Sequence, residues 1–258
     1  MPSAAGLYYF ANAADNSTRP LAILIHGAGG THLNWPPQVR RLGGQRIYAL
    51  DLPGHGRSEG AGRQLISEYA TDLVGFMDSI QLPAAVIVGH SMGAAIALAL
   101  ALEHPDKVLG LCLLGASARL RVSPVILQRA GNPSTFSSAV QMVTEYSYSQ
   151  RANPRLKELG GRRMAETRPS VFYGDFLACE SFDVLADLPR IQAPTLILAS
   201  EEDRMTPLHY ARTLQENIPG AGLHLVPGAG HMLMLEQPAI VAFELAGFLN
   251  SIPDRPGP

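Results

Sequence analysis

Short apolar runs alternate along the chain with stretches of helical period. Leu21–Ile25 and Arg46–Leu50 read as buried strands, as do Ala84–Val88, Val108–Leu114, Thr195–Ala199 and Leu223–Val226. Ser67–Ile80 sets Tyr69, Leu73, Phe76, Met77 and Ile80 on one helical face. Further helices are predicted over Ala94–Leu102, from about Pro207 to Asn217 and from about Pro238 to Asn250. This alternation predicts an α/β fold: a mainly parallel central sheet with helices on both faces. Leu7–Phe10 reads as an antiparallel addition at the sheet edge.

The alternation stops between about Ala116 and Leu188. No strong strand run occurs there. Helical fragments at Pro124–Ala130, Ser137–Tyr148, Pro154–Leu159 and Val171–Leu177 are mixed with proline, glycine and arginine. A structureless loop of that length is rare inside a compact domain. The expectation is therefore a small helical cap over residues 116–188, inserted into a core made of 1–115 and 189–258. The proline-rich tail Ile252–Pro258 is expected to fray.

Composition narrows the class without naming a chemistry. At 258 residues the chain can bury a sizeable core, and 47% hydrophobic against 16% charged residues fits an ordinary globule. A formal net charge of −2 gives no electrostatic case for nucleic acid or an anionic membrane as partner. The longest apolar run, Met92–Leu102, is too short to span a bilayer and reads as a helix buried against the sheet. Met1–Phe10 has neither a basic region nor a long apolar stretch, so no secretory signal is expected. Cys112 and Cys179 lie in separate segments and are expected to be buried free thiols, which suits a reducing cytoplasm.

The candidate chemistry centres on Gly89-His90-Ser91-Met92-Gly93, between an apolar strand and an alanine-rich helix. A sharp strand-to-helix turn of the form G-x-S-x-G lifts a serine hydroxyl above the sheet. Side chains two positions either side would collide, so glycine stands there. The helix start beyond Ser91 offers free N–H groups to a developing oxyanion. A serine needs a base, and the base an orienting acid. Both candidates follow strands, at Ser200-Glu201-Glu202-Asp203 and at Pro227-Gly228-Ala229-Gly230-His231. His231 is the expected base. Asp203 is favoured over Glu202 as the acid, because its reach beyond the strand suits a buried partner. The glycine-rich bend His26-Gly27-Ala28-Gly29-Gly30 can supply a second donor, so the oxyanion hole is assigned to the N–H groups of Ala28 and Met92. That bend lacks the spacing and the lysine of a phosphate-binding loop. No metal-ligand spacing and no cofactor motif is seen.

These residues, with Asp51-Leu-Pro-Gly-His-Gly-Arg-Ser58, make the chain resemble the α/β-hydrolase superfamily, in its serine carboxylesterase branch, over nearly its whole length. The resemblance implies an α/β-hydrolase fold and a Ser91–His231–Asp203 triad. It implies a structural role for the 51–58 loop, with His55 a turn residue. Ser200 departs from the glycine that often precedes the acid. Ser91 in place of an aspartate sets dehalogenases and epoxide hydrolases aside, and Met232 disfavours hydrolases of ring-cleavage products and hydroxynitrile lyases.

What remains is hydrolysis of a small-molecule carboxylic ester of short to medium acyl chain. Thioester cleavage, acyl transfer and perhydrolysis on the same triad are the alternatives, and a non-catalytic binding protein a further one. Phe136, Tyr146, Tyr148, Phe172, Tyr173 and Phe176, with Met232 and Met234, are candidates to line an apolar pocket. Arg151, Arg155, Arg162 and Arg163 raise the expectation of a contact with an acyl carrier protein, by resemblance to demethylating relatives.

Overall fold

The computed structural model describes residues 2–12 and 19–253, so all of the expected frayed tail beyond Pro253 lies outside the described residues. Among the described residues eight strands form one sheet: β1 (Ser3–Ala4), β2 (Leu7–Asn12), β3 (Ala22–Ile25), β4 (Ile47–Leu50), β5 (Ala85–His90), β6 (Val108–Leu114), β7 (Thr195–Ala199) and β8 (Gly222–Leu225). Their order is β1-β2-β4-β3-β5-β6-β7-β8. The β1/β2 and β2/β4 pairs are antiparallel and the rest parallel. β2 is therefore antiparallel as expected, but the edge itself is the two-residue β1.

Side chains alternate across a strand, and the sheet sorts them into separate layers. Ile23, Ile25, Ile87, Leu111, Leu113 and Ile197 pack on one face. There they meet helices α2 (Ile66–Ser79) and α3 (Met92–Glu103) through Leu73, Phe76, Ile96 and Leu100. Leu24, Val86, Val88, Cys112 and Leu198 pack on the other face with Trp35 and Val39, the latter on α1 (Pro37–Arg40). Both cysteines are free and buried. Every residue of α3 from Met92 to Ala101 is buried, which explains its lack of a polar face. No helix among the described residues is long and apolar enough to cross a membrane.

Between β6 and β7 the chain makes helices α4 (Pro124–Ala130), α5 (Phe136–Ser147), α6 (Pro154–Ala165) and α7 (Pro169–Ser181). α6 and α7 run longer than their apolar patterns suggest, because all of their added residues but Met164 are polar or small. Proline opens α4, α6 and α7, where a missing N–H costs nothing. These helices share their own apolar cluster, with Ile126, Val140, Val143, Phe172 and Phe176. After β7 come α8 (Leu208–Asn217), α9 (Leu233–Glu236) and α10 (Pro238–Ser251). Leu245 and Leu249 of α10 seal the α1 face of the sheet.

Candidate active site

β5 hands the chain to α3 through a single residue. Ser91 has φ 54° and ψ −116°, a backbone state that a residue with a side chain seldom adopts. Its surroundings hold it there: Ser91 N–H donates to Leu114 O at 2.9 Å, and Ser91 O accepts from Ala94 and Ala95 N–H at 2.9 and 3.1 Å. The turn is closed so tightly that a Cβ at Gly89 would lie 2.2 Å from Gly93 O, and one at Gly93 2.3 Å from Ile25 O. Both glycines are thus required by backbone contact.

Asp203 lies in the turn after β7, and His231 in the loop that follows β8. Both are buried, and His231 Nδ1 donates to Asp203 Oδ2 at 2.8 Å. The other carboxylate oxygen, Oδ1, accepts from Met205 and Thr206 N–H, each at 2.8 Å. Thr206 Oγ1 donates to Oδ2 at 2.8 Å and lies 3.2 Å from His231 Nδ1. Burial raises the cost of charge on Asp203, but His231 and the donors of Thr206 outweigh it and hold the carboxyl below its usual range. With Nδ1 turned to the carboxylate, Nε2 is the ring atom left to accept a proton.

The loop bearing His231 is itself pinned. Ser200 Oγ donates to Gly230 O at 2.9 Å, so the serine that departs from the expected glycine ties the acid turn to the base loop. Gly230 N–H donates to Glu236 Oε1 at 2.9 Å, and His90 Nε2 donates to His231 O at 2.9 Å. His90 sits with its ring 4.7 Å from that of His231, and burial followed by the His231 charge pushes its pKa down to about 3. It is a neutral packing partner. Glu201 is exposed and Glu202 half-buried.

A cavity of about 340 Å³ opens over this centre, lined by Ala28, Ser91 and His231 together with residues of the inserted helices. Met92 is wholly buried at the start of α3, where first-turn N–H groups have no intrahelical acceptor. Gly29 and Gly30 N–H are spent on Asp175 and Gly27 O, which takes these two donors out of reach of an oxyanion. Of the aromatic and methionine candidates, Tyr146, Phe176 and Met232 line the cavity. Phe136 and Phe172 instead stack edge-on at 5.3 Å within the helical cluster, and Tyr148 and Met234 are buried elsewhere. Much of the lining is aliphatic: Leu120, Val122, Ile126, Met142, Met164 and Met205. Sequence reasoning missed these, and Thr206 and Glu236 with them. A hydroxyl three residues after the acid was the one available signal for Thr206.

The chain matches the Alpha/beta hydrolase family over residues 22–245. It is 28% identical to RutD of Caulobacter sp. (strain K31), whose name proposes a carbamate hydrolase, over 95% of this chain and 96% of that one. It is 29% identical to the 2-hydroxymuconate semialdehyde hydrolase of Pseudomonas putida, over 93% of this chain and 91% of that protein. Among solved structures, a thermophilic esterase superposes with a TM-score of 0.81 at 30% identity, covering 95% of this chain and 98% of that one.

Proposed function

Because this chain belongs to the alpha/beta hydrolase family, we propose that it cleaves carboxylic esters through a covalent acyl-enzyme on Ser91. His231 takes the Ser91 proton as Oγ attacks the ester carbonyl, and Asp203 holds the imidazolium that forms. The N–H groups of Ala28 and Met92 receive the oxyanion. Collapse expels the alcohol, which takes the proton from His231. Water, deprotonated by the same imidazole, then releases the acid and restores Ser91. The observation that carries this reading is the buried Asp203–His231 pair at 2.8 Å, with His231 and Ser91 on the wall of one cavity.

The size and apolar lining of that cavity support short to medium acyl chains. The same groups would serve a thioester, a lactone or a carbamate, and the names of the relatives keep the carbamate reading in view. The carrier-protein contact gains less support. Arg162 is already paired with Glu158 at 2.6 Å on the surface, and Arg163 reaches toward Leu33 O.

The test is initial rates on p-nitrophenyl esters from acetate to palmitate, with Ser91→Ala as the blank. A peak at short or medium chains that vanishes in the variant is expected. Equal rates in both proteins would remove the serine mechanism. No rate in either would shift the reading to a narrow thioesterase, a carbamate hydrolase or a binding protein, and acyl-thioester and carbamate panels separate these.

A further inference from the structure

The bend carrying the Ala28 N–H is gripped by the inserted helices as well as by the sheet. Gly29 N–H donates to Asp175 Oδ2 of α7 at 2.8 Å, and Gly29 O accepts from Thr167 Oγ1 at 3.1 Å. Gly29 has φ +62°, and a Cβ there would stand 2.9 Å from the Phe172 ring and 3.2 Å from Met164. The two peptides that flank the Gly29 Cα, the first of them next to the peptide bearing the Ala28 N–H, are thus each held by a residue from the segment between β6 and β7.

Asp175 is wholly buried and lies outside the cavity lining. Oδ2 also accepts from His55 Nε2 at 2.8 Å, and Oδ1 from the Tyr69 hydroxyl at 2.6 Å. His55 Nδ1 faces Pro53 O at 3.1 Å. Both His55 nitrogens meet acceptors, an arrangement only the doubly protonated ring satisfies. Burial opposes that charge, but the Asp175 carboxylate and its hydrogen bond, then Pro53 O and Asp51, raise the His55 pKa above its ordinary value. The neighbouring His26, 4.9 Å away ring to ring, is the reverse case. Its Nδ1 donates to Gly27 O and its Nε2 accepts from Leu52 N–H, so it is neutral. A buried carboxylate with a buried counter-cation, aimed at a loop N–H, is a costly arrangement with no role in the chemistry itself.

We propose that Asp175, with His55 as its counter-cation, is a positioning residue for the oxyanion hole, fixing the Ala28 N–H by holding the Gly29 peptide. This rests on the reading of Ala28 as an oxyanion donor. It couples the packing of α7 to transition-state stabilisation, because any shift of α7 moves the Gly29 peptide with it.

The double variant Asp175→Leu with His55→Leu tests it, since it removes the acceptor of Gly29 N–H and leaves no buried cation unpaired. The expected result is a kcat about 10- to 100-fold lower with KM within about threefold. The Ki of a trifluoromethyl ketone, whose adduct places an oxyanion in the same hole, should rise by the factor that kcat/KM falls. If that variant does not fold, Asp175→Asn carries the test: its neutral amide oxygen holds Gly29 N–H more weakly than the carboxylate does, so a several-fold loss of kcat is expected with the ketone Ki rising by the same factor. A lowered Tm with unchanged kcat and ketone Ki in the folded variant would overturn the proposal. Ser91→Ala run in parallel separates the two readings. If that variant keeps its activity, the serine mechanism and this proposal fall together. If it is dead while the folded Asp175 variant is unimpaired, only the positioning role is lost.

Discussion

Asp203→Asn tests the acid assignment, and the geometry dictates how the substitution acts. Oδ1 accepts two backbone N–H groups, from Met205 and Thr206. In asparagine that position must be taken by the amide oxygen, since an NH2 there would face two donors. The NH2 group is then forced toward His231 Nδ1, where Oδ2 now accepts at 2.8 Å. The imidazole can meet that donor only by carrying its proton on Nε2, the nitrogen that must accept the Ser91 proton. The base is thus held in the wrong tautomer while the fold stays closed. A loss near 10⁴ in kcat is expected, about 5.5 kcal/mol of activation free energy. The assay is kcat and KM on p-nitrophenyl butyrate for wild type, Asp203→Asn and Glu202→Gln, with circular dichroism to establish that each is folded. Retention of more than about a tenth of wild-type kcat by Asp203→Asn would refute the tautomer argument. A collapse in Glu202→Gln instead would move the acid to the neighbouring carboxylate.

Thr206→Val removes a hydroxyl that donates to Asp203, and should lower kcat several-fold while costing about 1.5–3 kcal/mol in urea unfolding; unchanged values for both would mean that the bond contributes nothing. Gly93→Ala would place a methyl 2.3 Å from Ile25 O, so a loss above about 4 kcal/mol or failure to fold is expected, read as yield and Tm. Met142→Ala enlarges the cavity wall and should shift the p-nitrophenyl ester optimum toward longer chains, an effect absent if acyl groups bind elsewhere. His26 and His90 are buried with pKa values pushed down to about 4 and about 3, in both cases chiefly by burial. Against about 6.5 in the unfolded chain, their contribution to stability is full above pH 6.5 and is lost as pH falls toward those values. Urea unfolding should therefore weaken between pH 6.5 and 4.5, and His90→Gln should flatten the slope by up to about 1.4 kcal/mol per pH unit; a flat wild-type profile would contradict the neutral assignments.

The parts of this molecule that were legible in advance are those where one local pattern has one physical solution. Val108–Leu114 and Thr195–Ala199 are apolar runs between turn signals, and the strands begin and end at those residues. Gly89 and Gly93 around a serine have no room for a Cβ, so the motif and the clash at 2.2–2.3 Å are one fact read at two levels. The pocket lining was not legible, because a side chain in the insertion can face the cavity or the helical cluster without any change in spacing. Phe172 and Phe176 lie four residues apart on α7, yet only Phe176 reaches the cavity.

The buried Asp175 marks a different limit. An aspartate inside Val171–Leu177 breaks the apolar run, and sequence alone offers no partner for it. Its partners come from β-strand loops and from α2, at sequence separations of 146, 120 and 106 residues. Only the closed fold brings Gly29, His55 and Tyr69 to one carboxylate. A polar residue that costs free energy to bury, in a helix otherwise built from apolar contacts, must have its cost offset by those bonds or the helix would not dock as it does. That requirement couples α7 to the bend at Ala28: one of the bonds that offset the burial of Asp175 is the one to Gly29 N–H, so the seating of the helix and the position of that bend go together.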